Sequence, residues 1–133
     1  RDIIIVPKKT ANKESHDFFN LMDAYLKEEN YNKRLKITAL VCQNDKIAID
    51  VIKALNQNGY RVPEDVSVTG FGDTTPGKYH EPSLTTIMIP KKEIGRLSAE
   101  AFLKEFDDEK TSNSDLLLDT KIIQRNSSKQ LKF

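Results

Sequence analysis

The sequence has little of what marks a membrane-spanning or disulfide-bonded protein. Its 133 residues include one cysteine, Cys42, and no tryptophan. A single thiol cannot form an internal disulfide, which fits a reducing compartment. No apolar run approaches the roughly 20 residues of a membrane-spanning helix, and no signal-peptide pattern opens the chain. We therefore expect a cytoplasmic protein, in which Cys42, inside an apolar run, is an inert core thiol.

Charge of one sign is also lacking. The chain carries 21 basic and 20 acidic residues, which leaves a formal net charge of +1. A protein segment that binds nucleic acid through phosphates normally shows a clear basic excess. We therefore expect no direct DNA contact from this chain. Its length suits one domain with a substantial core.

Enzyme and metal-site motifs are missing as well. There is no glycine-rich loop before a helix, no G-x-S-x-G and no H-E-x-x-H. His16 and His80 lack a nucleophile or a second metal-ligand type at a diagnostic spacing. The adjacent Asp107 and Asp108 lie in a polar linker and are expected to be solvated. The sequence therefore predicts no catalytic residues, no metal and no cofactor.

The chain is organised around residues 37–73, where two apolar runs flank a helical pattern. Ile37–Cys42 has no charged residue and is rich in β-branched side chains, which predicts a strand buried on both faces. Asn44 starts the helix, Gly59 ends it, and Val66–Phe71 is the returning strand. The apolar stripe of the helix is Ile47, Ala48, Val51, Ile52 and Leu55. The stretch is one βαβ unit.

The flanking segments repeat this alternation of strand and helix. The predicted elements are a strand at Ile3–Val6, a helix at Glu14–Glu29, an extended segment at Ser83–Ile89, a helix at Lys91–Phe106, and short strands at Leu116–Leu118 and Ile122–Ile123. The inward residues are Phe18, Phe19, Met22, Tyr25 and Leu26 in the first helix, capped by Ser15, and Ile94, Leu97, Ala101 and Phe102 in the last. This order predicts the α/β class.

Polar residues follow two strands at the edge where parallel sheets bind ligands. They are Gln43-Asn44-Asp45 after the first strand and Gly72-Asp73 after the second. Amides and carboxylates together donate to and accept from hydroxyl groups, which suits a polyol. Two alternatives stay open, because Asn44 could act only as a helix N-cap and Asp73 only as a turn residue.

Two runs carry a resemblance to a known family. The sequence RVPEDVSVTGF at residues 61–71, followed by SLTTI at 83–87, resembles the lactose-repressor (LacI/GalR) family of bacterial transcription regulators. The ND pair at Asn44-Asp45 is a third, weaker feature. Together the similarity spans roughly Thr38 to Arg125.

The resemblance implies a three-layer, parallel-sheet lobe of the type I periplasmic-binding-protein fold, here incomplete. Residues 1–83 and about 119–128 would form the carboxyl-terminal subdomain, with the last strand near Lys121–Arg125. Residues 84–118 would pair with an amino-terminal subdomain. That subdomain and the DNA-binding head are expected to lie upstream.

The resemblance also implies a site and a function. Asn44 and the residue at position 72 would line the effector cleft, but Gly72 stands where the family has an acid. Either Asp73, one place later, replaces it through a shifted backbone, or that contact with ligand hydroxyls is lost. Ile49, which lies off the apolar stripe, and Tyr79 match the family's dimer interface, although a lone exposed isoleucine is also common.

The predicted function is effector sensing and homodimerisation within a transcription regulator. The effector would be a small molecule such as a sugar, and operator DNA would be bound only through the upstream head. The alternative is a lobe of a periplasmic solute-binding receptor, which would use the same fold without DNA.

Overall fold

One five-stranded sheet organises the part of the chain that the structure describes. The structure is a computed structural model that describes residues 2–6, 16–30, 37–106 and 115–130. Its elements are β1 (Asp2–Val6), α1 (His16–Asn30), β2 (Ile37–Cys42), α2 (Asp45–Gln57), β3 (Ser67–Phe71), α3 (Thr75–Tyr79), β4 (Thr85–Met88), α4 (Lys91–Phe106) and β5 (Lys121–Ile123). The strands lie in the order β1-β2-β3-β4-β5. The first four are parallel and β5 is antiparallel to β4, which confirms the α/β class.

Helix α2 forms where the apolar stripe predicted it. Its start is fixed by Asn44, whose Oδ1 accepts a hydrogen bond from the Ile47 amide at 2.9 Å. Its end is followed by Gly59, which adopts a φ of 80°. The helix packs against β2 and β3, and every residue of its predicted apolar stripe is buried: Ile47, Ala48, Val51, Ile52 and Leu55. The βαβ unit is confirmed.

Helix α1 packs against α2. Leu26 is fully buried, and Phe19 and Met22 pack against the core, as predicted, whereas Tyr25 is exposed. Asp23 accepts hydrogen bonds from Lys27 Nζ at 2.6 Å and from Asn58 Nδ2 at 2.7 Å, so it ties α1 to the end of α2. These two bonds, that from Lys27 first, hold the pKa of Asp23 below its usual value. The predicted cap Ser15, the loop at Lys8–Lys13 and the side chain of Phe18 lie outside the described residues.

Among the described residues, the helices α1 and α2 cover one face of the sheet. The prediction that Ile37–Cys42 is buried on both faces is wrong, because an exposed residue lies between two buried ones at the end of the strand. Leu40 and Cys42 are buried beside the helices, whereas Val41 is 41% exposed and Phe71 on the next strand is 40% exposed. The reason is that α1 and α2 pack on each other and so lie on the same side. Two of the three expected layers are therefore seen in the described residues.

Cys42 is a core thiol, as the sequence indicated. It is buried on the helix-covered face of β2. Burial raises the pKa of its thiol to about 12, because the thiolate would lose its hydration. The neutral thiol, which is a weak nucleophile, is therefore the form present near neutral pH.

Helix α4 has the predicted bounds but not the predicted burial. Ile94, Ala101 and Phe102 are exposed and Leu97 is half-buried, so this apolar face does not point into the core of the described residues. Periodicity predicts a face but does not supply the surface that covers it. None of the helices in residues 16–30, 45–57, 75–79 and 91–106 is long and apolar enough to cross a membrane.

The predicted division into subdomains at residues 83 and 84 stays a prediction. Leu84, the first residue of the segment expected to pair with another subdomain, is fully buried here, and Thr85–Met88 pairs with β3. Residues 116–118 form no strand, whereas Lys121–Ile123 pairs with β4.

Candidate functional site

A buried carboxylate joins the start of α2 to β4 and to the turn after β3, at the predicted binding edge. Asp45, the first residue of α2, is 0% exposed. Its Oδ2 accepts hydrogen bonds from the Thr74 amide at 2.6 Å and from Thr74 Oγ1 at 2.9 Å. Its Oδ1 accepts from Thr86 Oγ1 at 2.5 Å. Asp45 thus links the start of α2 to the turn after β3 and to the middle of β4.

Gly70 lets β3 approach this carboxylate. A Cβ atom at this position would lie 2.4 Å from Asp45 Oδ1 and 2.9 Å from Leu84 Cδ2. Both distances are below van der Waals contact, and Asp45 is held by its three hydrogen bonds. A glycine in the middle of the strand is therefore a packing requirement rather than a turn signal.

Gly72 and Asp73 form a tight turn directly after β3. Their φ angles are 128° and 47°, so both lie in the region that L side chains rarely adopt. The Gly72 amide donates to the Ile87 carbonyl at 2.8 Å. A Cβ at Gly72 would meet nothing closer than Thr74 Cγ2 at 3.7 Å, so the backbone angle, not space, requires glycine there.

Two cations from distant segments bind this turn. Lys91 Nζ donates to the Gly72 carbonyl at 2.5 Å. Arg125 Nη2 donates to Asp73 Oδ1 at 2.5 Å, and its Nη1 donates to the Leu84 carbonyl at 2.8 Å. The side chains of Arg125 and Asp73 are only 15% and 27% exposed, so water screens this ion pair less than a surface pair.

The segment after β5 bridges the starts of β3 and β4. Ser127 is fully buried, and its Oγ accepts from the Thr85 amide at 2.8 Å and donates to the Val68 carbonyl at 2.7 Å. Its main chain bonds to the Val68 amide and the Ser83 carbonyl. Thr85 Oγ1 accepts from the Arg125 amide at 2.9 Å. These bonds fix the backbone from which the Arg125 side chain reaches Asp73.

The structure brings the predicted effector residues into one connected region. Asn44 precedes Asp45, and Asp73 precedes Thr74, so the hydrogen bonds between Asp45 and Thr74 join the two stretches. Asn44 is confirmed as the N-cap of α2. Capping uses its Oδ1 as the acceptor and leaves its Nδ2 available as a donor. Within the described residues, Asp73 uses Oδ1 for Arg125 and makes no hydrogen bond through Oδ2. Contact between these groups and an effector stays a prediction.

Sequence reasoning missed the residues that hold the region together. The sequence predicts Asp45 as a polar residue at the binding edge but not as a buried link between strands, and it places Lys91 only in a helix and Arg125 only in the last strand. One available signal was the pair Thr85-Thr86 inside an otherwise apolar strand. Hydroxyl groups buried in a sheet need hydrogen-bond partners, so this pair predicts polar side chains nearby.

The two residues predicted for the dimer interface lie on neighbouring elements. Ile49 is half-buried on α2, and Tyr79, at the end of α3, is 76% exposed. Helices α2 and α3 pack together, and Lys78 Nζ lies 5.5 Å from the centroid of the Tyr79 ring. Their contact with a second chain stays a prediction.

The described residues contain no group of three or more histidine, cysteine, aspartate or glutamate side chains that could hold a metal ion. His80 Nδ1 lies 3.2 Å from the Pro82 carbonyl, a contact within its own loop. The side chain of His16 lies outside the described residues.

Curated relatives of the sequence are transcription regulators. The HTH-type transcriptional regulator MalR of Clostridium butyricum is 38% identical over 103 residues, covering 74% of this chain and 30% of that protein. The arabinose metabolism transcriptional repressor of Geobacillus stearothermophilus is 33% identical over 122 residues, covering 81% of this chain and 34% of that protein. The chain thus spans about a third of the length of these relatives.

Solved structures show the same fold. The transcriptional regulator CelR in complex with cellobiose superposes with a TM-score of 0.75 at 26% identity, covering 86% of this chain and 33% of that one. The lac repressor dimer bound to operator and the anti-inducer ONPF gives 0.75 at 25% identity, covering 86% and 38%. Residues 5–128 match the family described as periplasmic binding protein-like domain. The chain belongs to this family, in the group formed by the effector-binding domains of LacI/GalR transcription regulators.

Proposed function

We propose that this chain is the effector-sensing and dimerising part of a bacterial, cytoplasmic transcription regulator rather than an enzyme. The two curated relatives named above are a transcriptional regulator and a transcriptional repressor, which favours this function over the periplasmic solute receptor. A solved relative carries cellobiose, and another is named for arabinose metabolism, so a sugar is the effector class we propose. Operator DNA would be bound by another part of the full-length regulator.

The observation that carries the proposal is the link between Asp45 and Thr74. It holds the stretch with Asn44 beside the stretch with Asp73. Asn44 Nδ2 supplies a donor, Asp73 Oδ2 supplies an acceptor, and Gly72 has no side chain. A donor and an acceptor together suit a sugar hydroxyl, which does both. Asp73 would then serve through the turn at residues 72 and 73, the first of the two alternatives given above.

Sensing would work by population shift. An effector changes the equilibrium between two conformations only if it binds them with different affinity. The ligand would bind at the carboxyl ends of these strands and also contact a second subdomain. It would therefore favour the arrangement in which this lobe and the second subdomain both contact it. The dimer would pass that change to the DNA-binding heads.

Replacing Asn44 tests the effector site. Asn44→Ser keeps a good N-cap, so the free energy of unfolding should change by only a few tenths of a kcal/mol, whereas Asn44→Ala should lose about 1 kcal/mol. Both variants lose the Nδ2 donor. Titration calorimetry of the full-length protein with cellobiose, L-arabinose and D-ribose should therefore show sugar binding weakened by roughly tenfold in both.

The serine variant separates the two roles of Asn44. If Asn44→Ser binds sugar as tightly as the unmodified protein, Asn44 is a cap only and the proposed contact is wrong. If none of the three sugars binds the unmodified protein, a neutral sugar of this kind is not the effector.

Replacing Ile49 and Tyr79 tests the proposed dimer. The double variant Ile49→Asp, Tyr79→Asp places two charges on a two-fold contact, where each is counted twice. Sedimentation equilibrium should show a dimer for the unmodified protein and a monomer for this variant. The control is Ile94→Asp on the exposed face of α4, which should leave this dimer intact. A dimer that survives the double variant but not the control would assign the contact to α4 instead.

A further inference from the structure

The turn at Gly72 and Asp73 is contacted by one residue near the start of a chain segment and by another just after its end. The chain leaves the sheet where β4 ends at Met88 and re-enters it where β5 begins at Lys121. Lys91, at the first position of α4, binds the Gly72 carbonyl where this segment departs. Arg125, two residues beyond β5, binds Asp73 where the segment has returned. Two cations, 34 positions apart in the chain, therefore converge on two adjacent residues.

We propose that Lys91 and Arg125 are positioning residues that couple the turn at Gly72 and Asp73 to α4 and β5. A change at the turn would then alter the position or the stability of both elements. The inference rests on the proposed function, because that function supplies the ligand whose contact with Asp73 would change the turn.

The geometry of Arg125 makes it a rigid link. The planar guanidinium holds Asp73 with one nitrogen and the Leu84 carbonyl with another, so the side chain cannot follow Asp73 without losing its second bond. The backbone of Arg125 is fixed as well, because its amide donates to Thr85 Oγ1 and its carbonyl accepts from the same hydroxyl at 3.1 Å. Displacement of the carboxylate is thus transmitted to the main chain next to β5.

The contact of Lys91 differs in kind. Its ammonium group is bound to a carbonyl that no side-chain substitution at position 72 removes. The contact of Lys91 therefore depends on the position of the turn backbone. The contact of Arg125 depends on both the position and the charge of the Asp73 carboxylate. An effector hydroxyl that donates a hydrogen bond to Asp73 Oδ2 would interact with the same carboxylate charge that binds Arg125.

The coupling can be tested without any ligand. Amide hydrogen exchange is measured in the unmodified protein and in Asp73→Asn, which keeps the shape of the side chain but removes its charge. Exchange in β5, residues 121–123, should accelerate by roughly tenfold, whereas exchange in β2 should not change. The matched control is Asp65→Asn, which weakens an exposed pair with Arg61 and should leave β5 unaffected. Unchanged exchange in β5 of Asp73→Asn would overturn the proposal.

A second measurement tests whether Lys91 and Arg125 transmit the effect of bound sugar to α4 and β5 or only stabilise the fold. The full-length protein is saturated with whichever of cellobiose, L-arabinose and D-ribose binds, and the sugar-dependent change in exchange at residues 91–106 and 121–123 is recorded. Saturation makes this change independent of affinity. It should be largely lost at residues 121–123 in Arg125→Met, lost at residues 91–106 in Lys91→Met, and partly restored by Arg125→Lys. Full retention of the change in both methionine variants would contradict the coupling.

The two failures can be told apart. If no sugar binds but Asp73→Asn still accelerates exchange in β5, the proposed function is wrong and the coupling stands. If sugar binds but the variants at Lys91 and Arg125 respond like the unmodified protein, the function stands and the coupling is wrong.

Discussion

Asp45→Ala is expected to destabilise the protein by about 3 to 6 kcal/mol. The carboxylate accepts hydrogen bonds from the Thr74 amide, from its hydroxyl and from Thr86 Oγ1 in a fully buried position. Each hydrogen bond to a charged group contributes about 1.5–3 kcal/mol, and the Thr86 hydroxyl left behind is buried. Since domains are stable by only about 5–15 kcal/mol, much of the free energy of unfolding would be lost. Urea denaturation measures this change.

Two milder variants show how much of this stability depends on individual hydrogen bonds of Asp45. Thr86→Val removes one donor at nearly constant volume and should cost about 1–3 kcal/mol. Asp45→Asn keeps one acceptor oxygen but turns an amide donor toward other donors, so its loss should fall between the two. A loss below about 1 kcal/mol in Asp45→Ala would show that this network does not hold the strand ends together.

The second large effect is expected at Gly70. Gly70→Ala would place a methyl group 2.4 Å from Asp45 Oδ1 and 2.9 Å from Leu84 Cδ2. Overpacking of a well-packed site costs about 1–3 kcal/mol and sometimes more, and a carboxylate fixed by three bonds cannot move away cheaply. We expect a loss of about 3 kcal/mol, measured as a lower midpoint in urea without a change in slope.

Gly95 supplies the matched control for Gly70. A Cβ at Gly95 would meet nothing within 4 Å, and the residue is exposed inside helix α4. Gly95→Ala should therefore stabilise the protein by up to about 1 kcal/mol, opposite in sign to Gly70→Ala. If both alanine variants were equally stable, the close approach of β3 to Asp45 would not be a constraint on this position.

Local features were predictable from the sequence. The helix after Asn44 has its cap, its apolar stripe and its terminating glycine within 16 residues, and all three are found as predicted. The paired strands on either side follow from the same stretch, because a βαβ unit has few other arrangements.

Contacts between distant residues were not predictable. The partners of Asp45 lie 29 and 41 positions away, and those of Arg125 lie 41 and 52 positions away. The exposure of Val41 was missed for a related reason, since an apolar run does not reveal that both covering helices lie on one side. The glycine at 72 and the acid at 73 could be read from the sequence as turn residues, but the two cations that bind this turn could not.

The bonds made by Ser127 also decide when this sheet can be completed during synthesis. Ser127 binds Thr85 and Val68, which precede it by 42 and 59 positions, so the groups they satisfy stay unpaired until the end of this segment has left the ribosome. In the central βαβ unit, β2 pairs with residues of β3 that lie only 28 positions later, so this unit can form earlier, whereas the junction of β3 and β4 must wait. Exposed, unfinished strand junctions are where nascent chains aggregate. For this protein that vulnerable interval ends with its last few described residues.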